Sequence, residues 1–198
     1  FFKQKTAYEI RPRDWSSDVC SSDVTGIELE GDIRITTSVR WQGNLTLSSN
    51  RIKEFTEVLY DYGENFDQYN EVRNTYRNTD ISFSPGIVGG SQFSFRLPLN
   101  LELTLLSKYV GTQYLDNTSN RNRSINPYFI QDARLTWSAK TKKLNEISAS
   151  IQFNNLLDAN YSSNGYTYGY LGGPATFRQN YYYPQAERNL MAMLTLRF

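Results

Sequence analysis

The sequence predicts an all-β chain whose strands cross a membrane as an antiparallel transmembrane β-barrel. Three observations predict it. Apolar and polar residues alternate with period two over long stretches, the pattern of a strand with one wet and one dry face. These stretches run about 11–17 residues, against a mode of about 5–6 in soluble sheets and about 9–11 needed to cross hydrocarbon at a tilt. The links between them are alternately short and long, as when turns lie on one side of a membrane and loops on the other.

Each element follows from its own residues. From Ile27 one face reads Ile27, Leu29, Gly31, Ile33, Ile35 and the other Glu28, Glu30, Asp32, Arg34. Leu101, Leu103, Leu105, Ser107 and Tyr109 face away from Glu102, Thr104, Leu106 and Lys108. Phe129, Gln131, Ala133, Leu135, Trp137 and Ala139 oppose Ile130, Asp132, Arg134, Thr136 and Ser138. Ile147, Ala149, Ile151 and Phe153 oppose Ser148, Ser150, Gln152 and Asn154. The chain closes on Leu190, Ala192, Leu194, Leu196 and Phe198. Gln131 and Leu106 stand out of place in this alternation.

About seven strands are expected, at 26–36, 39–54, 80–96, 100–115, 127–139, 145–157 and 183–198, set by alternation and turn signals. Short links fall near 37–38, 97–99 and 140–144, and long ones at 55–79, 116–126 and 158–182. With Phe198 at the periplasmic side, every short link lies there and every long one outside. Helix content is expected near zero. About seven strands cannot close a wide barrel, since plugged transporter barrels use about 22. The chain is therefore expected to be an incomplete barrel with an open edge at its first strand.

Composition excludes several classes. The 198 residues carry 21 Lys+Arg against 20 Asp+Glu, net +1, so no basic excess points to nucleic acid. Histidine is absent and cysteine occurs once, which removes Ser-His and Cys-His catalysis and most zinc sites. No catalytic residue, metal site or cofactor is expected. The mean hydropathy is −0.58, and no apolar run approaches the roughly 18 residues of a membrane helix. Tyr 15 and Phe 11 are high counts for so hydrophilic a chain, as alternation in a membrane barrel produces.

Residues 1–23 differ from the rest. They hold no apolar run for a secretory signal and too many acids for a transit peptide. Lys3–Ile10 and Asp14–Asp23 resemble translations of two segments of a short-read sequencing adapter, with Arg11, Pro12 and Arg13 where the variable index would lie. The block is read as an artefact and excluded from the fold, leaving 24–198. It carries four bases and four acids, so the charge balance survives its removal.

Asn155-Leu156-Leu157-Asp158-Ala159-Asn160-Tyr161, Tyr183-Pro184-Gln185-Ala186-Glu187-Arg188-Asn189 and a terminal alternating strand with Leu194, Leu196 and Phe198 follow one another at the C-terminal end. Together they resemble the end of TonB-dependent outer-membrane receptors. The first is similar to the family's N-L-F-D-x-x-Y block, with Leu157 in place of the usual Phe, and the second to the segment before its last strand. Leu194, Leu196 and Phe198 look like the signal read by the outer-membrane barrel assembly machinery, and Lys108–Asn117 looks like a receptor strand of the kind common in Bacteroidetes-like bacteria. The resemblance implies the C-terminal part of a receptor barrel in the outer membrane of a Gram-negative bacterium, in contact with outer-membrane lipid. It implies active uptake of a scarce nutrient, such as a ferric siderophore or similar small-molecule chelate. A TonB-type energy-coupling protein would act through a plug not present in this stretch. A passive porin-like barrel and a soluble β-sandwich binding module are the alternatives.

Candidate sites follow. Tyr166, Tyr168, Tyr170 and Arg178 lie in a predicted outer loop and are candidates for ligand contact, against loop packing for the tyrosines and a solvated charge for Arg178. Glu102, Lys108, Asp132 and Arg134 face the predicted lumen, where pairing with each other or with a plug is expected. Tyr181, Tyr182 and Tyr183 are expected to form an aromatic girdle at the membrane interface.

Overall fold

A computed structural model describes residues 22–140 and 146–197. Phe1–Ser21 of the adapter-like block, most of the 140–144 link and Phe198 lie outside the described residues. Those described are all-β, with no helix. Seven strands form a curled antiparallel wall: β1 (Ser22–Arg34), β2 (Val39–Asp61), β4 (Ile87–Leu97), β5 (Leu101–Val110), β8 (Tyr128–Ala139), β9 (Glu146–Asn154) and β12 (Asn189–Arg197). Each pairs with the next in that order. Ser22 and Asp23 continue β1 beyond the expected join at Val24. Ladder bonds are made by backbone, so they extend along a free edge whatever the side chains are.

The register makes the alternation a property of the whole wall. One row runs Ile33, Trp41, Phe93, Leu105, Ala133, Phe153, Leu190 through all seven strands. The adjacent row runs Arg34, Arg40, Ser94, Thr104, Arg134, Gln152, Met191. The first face is a continuous apolar surface left exposed: Ile27, Leu29, Leu47, Leu135, Ile151 and Leu194 are all open. In water so large a patch would drive association. In hydrocarbon it is the expected exterior, because the paired backbone leaves nothing polar to solvate. The opposite, polar face bounds a concavity of about 920 Å³ lined by residues that include Asp32, Gln42, Asn44, Gln92, Lys108 and Asp132.

The two residues out of place are accommodated locally. Gln131 lies on the apolar face, but its amide accepts from Ser107 Oγ at 2.7 Å and donates to the carbonyls of Leu106 at 3.0 Å and Asp132 at 3.1 Å. Leu106 contributes an apolar wall to the concavity.

The two longest predicted loops are largely strand. β2 is 23 residues long, about 75 Å at the usual rise and far beyond an apolar band of about 25 Å. Its upper half pairs with β3 (Asn70–Asp80), and β10 (Ser162–Gly172) pairs with β11 (Ala175–Pro184). The 80–96 strand begins only at Ile87, because residues 81–86 turn aside through Pro85 and Gly86. The 100–115 strand ends at Val110, and β6 (Gln113–Tyr114) and β7 (Ser124–Ile125) form a small separate hairpin. The last strand begins at Asn189 rather than 183. Every short link still lies at one end of the wall and every long one at the other. The buried apolar residues Ile52, Phe55, Leu59, Val110, Leu115 and Ile125 lie at this long-link end. The chain thus packs its core among the outer hairpins, where water is excluded by side chains rather than by lipid.

Trp41 shows how close the apolar face is packed. Its ring lies over Gly43 and Gly31: a methyl group on Gly43 would meet the ring at 2.5 Å, and one on Gly31 at 3.0 Å. Its indole N–H donates to Ser91 Oγ at 2.9 Å. Gly43→Ala is expected to displace this ring and cost about 1–3 kcal/mol, the usual range for overpacking. A shifted Trp emission and a lower unfolding midpoint in detergent would check it; unchanged values would contradict it.

Candidate ligand-recognition surface

Three outer segments meet above the wall, and side chains lock them together. At the base, the two motifs at 155–161 and 183–189 are one clamp. The buried Asn155 side chain donates to the carbonyls of Ala159 and Ala186, and accepts from the Ala159 N–H at 2.9 Å. Asp158 accepts from the Arg188 N–H at 2.9 Å and from its guanidinium at 3.4 Å. Gln185 N–H donates to the Tyr161 carbonyl, and Asn154 to Asn189. The motif spacing is therefore the spacing needed to close the neck of the β10–β11 hairpin. The Arg188 backbone amide, then its guanidinium, hold the Asp158 carboxyl below the usual range.

Above the neck sits a charge clasp. Arg123 bonds Glu57 at 3.0 Å and Asp116 at 2.6 Å. Arg178 bonds Glu57 at 2.8 Å and lies 3.9 Å from Asp116. Two cations and two carboxylates thus compensate one another, with Arg123 only 8% exposed at its side chain. Tyr76 donates its hydroxyl to Glu57, and Thr118 donates to Asp116. Burial first, then the Glu57 carboxylate, raise the Tyr76 phenol above its ordinary range. The clasp joins β2, the 111–127 segment and β11. Asn180 and Tyr182 add bonds from β11 to the carbonyls of Asn122 and Ser124.

At the far end the two hairpins touch again. Asp61 Oδ1 accepts the backbone N–H groups of Gly63 at 2.9 Å and Gly173 at 3.2 Å. Tyr62 N–H donates to the Leu171 carbonyl. Around this latch are aromatic rings from both hairpins. Tyr62, Phe66 and Tyr170 have centroids 5.8–6.3 Å apart, Tyr60 stacks on Tyr69 at 4.8 Å, and Tyr170 stacks on Phe177 at 5.1 Å. The hydrogen bond with Tyr60, followed by desolvation, raises the Tyr69 phenol.

The predicted site residues fall into place as follows. Tyr166, Tyr168 and Tyr170 project from one face of β10, the face that β11 continues with Phe177, Gln179, Tyr181 and Tyr183. Tyr166 stacks on Tyr181 at 4.8 Å, so the ligand-contact and girdle candidates share one aromatic ladder. Tyr182 alternates to the opposite face and bonds the loop below, so the three consecutive tyrosines do not form one girdle. Arg178, expected as a solvated charge or an anion contact, is instead bound within the clasp. On the polar face, Arg134 Nε donates to Gln152 at 2.8 Å, and Asp132 accepts the Asn155 N–H at 2.8 Å. Glu102 borders a smaller cavity of about 130 Å³ with Arg34, Arg40 and Arg96, and Lys108 borders the large concavity. Among the described residues, these four make no ion pair with one another. Leu194 and Leu196 stand exposed on the apolar face of β12. Sequence reasoning singled out none of Glu57, Arg123, Asp61 and Phe66, and read Asp116 only as part of the Lys108–Asn117 stretch.

Comparison with known proteins places this geometry. No protein-family model matches the chain, and no curated protein matches it. Solved structures do. The siderophore receptor PiuA from Acinetobacter baumannii aligns with a TM-score of 0.61 at 15% identity, over 88% of this chain and 21% of that one. The ferric yersiniabactin uptake receptor FyuA from Yersinia pestis aligns at 0.52 and 21% identity, over 86% and 22%. The open form of the ferric-catecholate import receptor Fiu from E. coli K12 aligns at 0.54 and 14%, over 88% and 21%. At these identities the likeness shows the fold, that of an outer-membrane β-barrel wall. The chain spans about a fifth of the length of these receptors.

Two predictions follow from the locks. Arg123→Ala leaves Glu57 and Asp116 short of a cation in a nearly closed site; breaking a buried pair costs about 3–5 kcal/mol, less here because Arg178 remains. Hydrogen exchange should quicken in 111–127 and β11 while the seven-strand wall stays protected. Asp158 has a depressed folded pKa, so its stabilisation is present above the unfolded value and lost as pH falls through the folded one. Exchange at the Arg188 amide, relative to its intrinsic rate, should stay slow down to about pH 4 and quicken below it. Asp158→Asn should remove that acid step.

Proposed function

We propose that the chain is the C-terminal part of an outer-membrane receptor barrel for active uptake of a scarce nutrient, bound outside as a small chelate such as a ferric siderophore. One observation carries the reading: a wall apolar on one face and polar on the other bears, at one end only, long hairpins locked into a shared surface. Lipid takes the apolar face, the polar face lines the lumen, and the hairpins meet the ligand on the cell exterior. Glu102, Lys108, Asp132 and Arg134 face a plug contributed by the rest of the polypeptide. A TonB-type protein supplies energy through that plug, and the barrel assembly machinery reads Leu194, Leu196 and Phe198. The similarity to three receptors whose names give siderophore or ferric-chelate uptake supports this reading. Residues 1–23 are adapter and take no part in it.

The test has two arms. Sequencing the source locus across the codons for Asp23 and Val24 should extend the frame into further alternating strands and a plug. In the complete receptor, with Cys20 absent, Tyr69→Cys should react with a membrane-impermeant thiol reagent on intact cells. Leu99→Cys, at the β4–β5 turn, should react only after lysis. The reverse pattern, or equal labelling, would remove the receptor reading.

A further inference from the structure

The polar face of the wall concentrates arginine at its short-link end. The β1–β2 register sets Arg34 directly opposite Arg40, and Arg96 follows two residues beyond Ser94, which pairs with Arg40. Like charges directly opposite each other destabilise a sheet, and diagonal neighbours stay within reach of long side chains. Two carboxylates stand nearby. Asp32 is committed: it accepts from Arg40 Nε at 2.8 Å and from Gln42 at 3.4 Å. Glu102 lies opposite Arg96 in the β4–β5 register. Among the described residues it forms no ion pair, and neither do Arg34 and Arg96. Three guanidiniums against two carboxylates leave one positive charge in excess.

The three arginines and Glu102 line one cavity of about 130 Å³, together with Thr36, Thr37 and Ser38 of the β1–β2 turn. The turn is preformed: the N–H groups of Ile35 and Thr36 donate to the Val39 carbonyl at 2.9 and 3.1 Å. Thr36 Oγ1 accepts the N–H groups of Ser38 at 3.2 Å and Val39 at 3.0 Å, so its own hydrogen is left to donate. The Arg96 N–H ties β4 to the turn through the Ser38 carbonyl at 2.8 Å. The cavity therefore offers guanidinium and hydroxyl donors on a fixed frame, and its one carboxylate is Glu102. Pockets for whole ligands usually run about 300–1,000 Å³; this one has room for a single phosphate or carboxylate group. A guanidinium fork suits such a group, because its parallel N–H bonds match two oxygens.

We propose that Arg34 and Arg96, with the Thr36 hydroxyl, form a binding site for an oxyanion, a phosphate or carboxylate group held between the two guanidiniums. Arg40, anchored on Asp32, adds charge from the side. The anion comes from solution or from an acidic side chain of the polypeptide that fills the lumen, and only the second source rests on the receptor reading. Binding itself requires only the folded wall.

The test is chemical footprinting of the full chain folded in a non-ionic detergent. Phenylglyoxal modifies accessible guanidiniums, and peptide mass spectrometry reads each arginine separately. The reaction runs with inorganic phosphate, or with sodium chloride at the same ionic strength. Phosphate at about four times its dissociation constant should slow Arg34 and Arg96 about fivefold, since only the unoccupied fraction reacts. Arg77, 81% exposed at its side chain and on an outer hairpin, should keep its rate. Arg34→Gln should release Arg96 from protection, which two independent surface arginines would not show. Glu102→Gln removes the competing carboxylate and should tighten phosphate a few-fold. Retained β-sheet circular dichroism shows that each variant is folded. Arg34 and Arg96 no better protected than Arg77, or Arg96 still protected after Arg34→Gln, would overturn the proposal. In the complete receptor, slow modification without phosphate identifies an acidic side chain as the occupant, and protection that still needs phosphate identifies a free anion. Phosphate protection with the wrong labelling pattern on cells would sink the receptor reading and leave the oxyanion site standing.

Discussion

Each peptide group in the apolar wall must find its partner on the neighbouring strand, because hydrocarbon offers none. That constraint governs the rest of the structure. It makes the sheet antiparallel and continuous from β1 to β12, and it fixes the register that puts Ile33, Trp41, Phe93 and Leu105 in one row. With the backbone satisfied, side chains need only suit their side. The wall therefore needs no second protein layer over its apolar face, and its apolar residues stay exposed in the chain by itself. The same constraint gives Gln131 its place: a polar side chain survives on the apolar face because Ser107 and two carbonyls saturate it.

Beyond the wall the physics changes. The outer hairpins have water around them and must hold together by contacts of their own. They do so at three levels: a hydrogen-bonded neck at Asn155 and Asp158, a compensated charge clasp at Arg123, and a backbone latch at Asp61. The result is a surface built on braced strands rather than on loose loops, with its aromatic side chains stacked on one another. The arginines brace the surface.

The wall was legible in the sequence, because alternation is a direct imprint of one wet and one dry face. All seven wall strands were expected, and so was the gathering of short links at one end of the wall and long ones at the other. The outer hairpins were not. Asn70–Asp80 has Val72 as its one aliphatic residue, and Ser162–Gly172 is rich in glycine and tyrosine; neither has a dry face, so neither carries the pattern. The Tyr181–Tyr183 run looked like a single feature, yet a strand sends neighbours to opposite faces and splits it. The clasp was invisible for a different reason. Glu57 and Arg178 meet only through tertiary structure, and no local spacing announces a pair so far apart along the chain. The motif residues Asn155, Asp158 and Arg188 were legible as a resemblance, but their role as a neck clamp needed coordinates.

The central claim is that one face of this wall lies in lipid and the other in water. Nitroxide labels placed singly from Leu101 to Val110 in β5, with the chain reconstituted in bilayers, test it most directly. The account predicts period-two accessibility: labels at 101, 103 and 105 meet oxygen dissolved in the lipid, and those at 102, 104 and 106 meet a water-soluble relaxant. Uniform access to the aqueous relaxant along the strand, or lipid contact at the even positions, would contradict it.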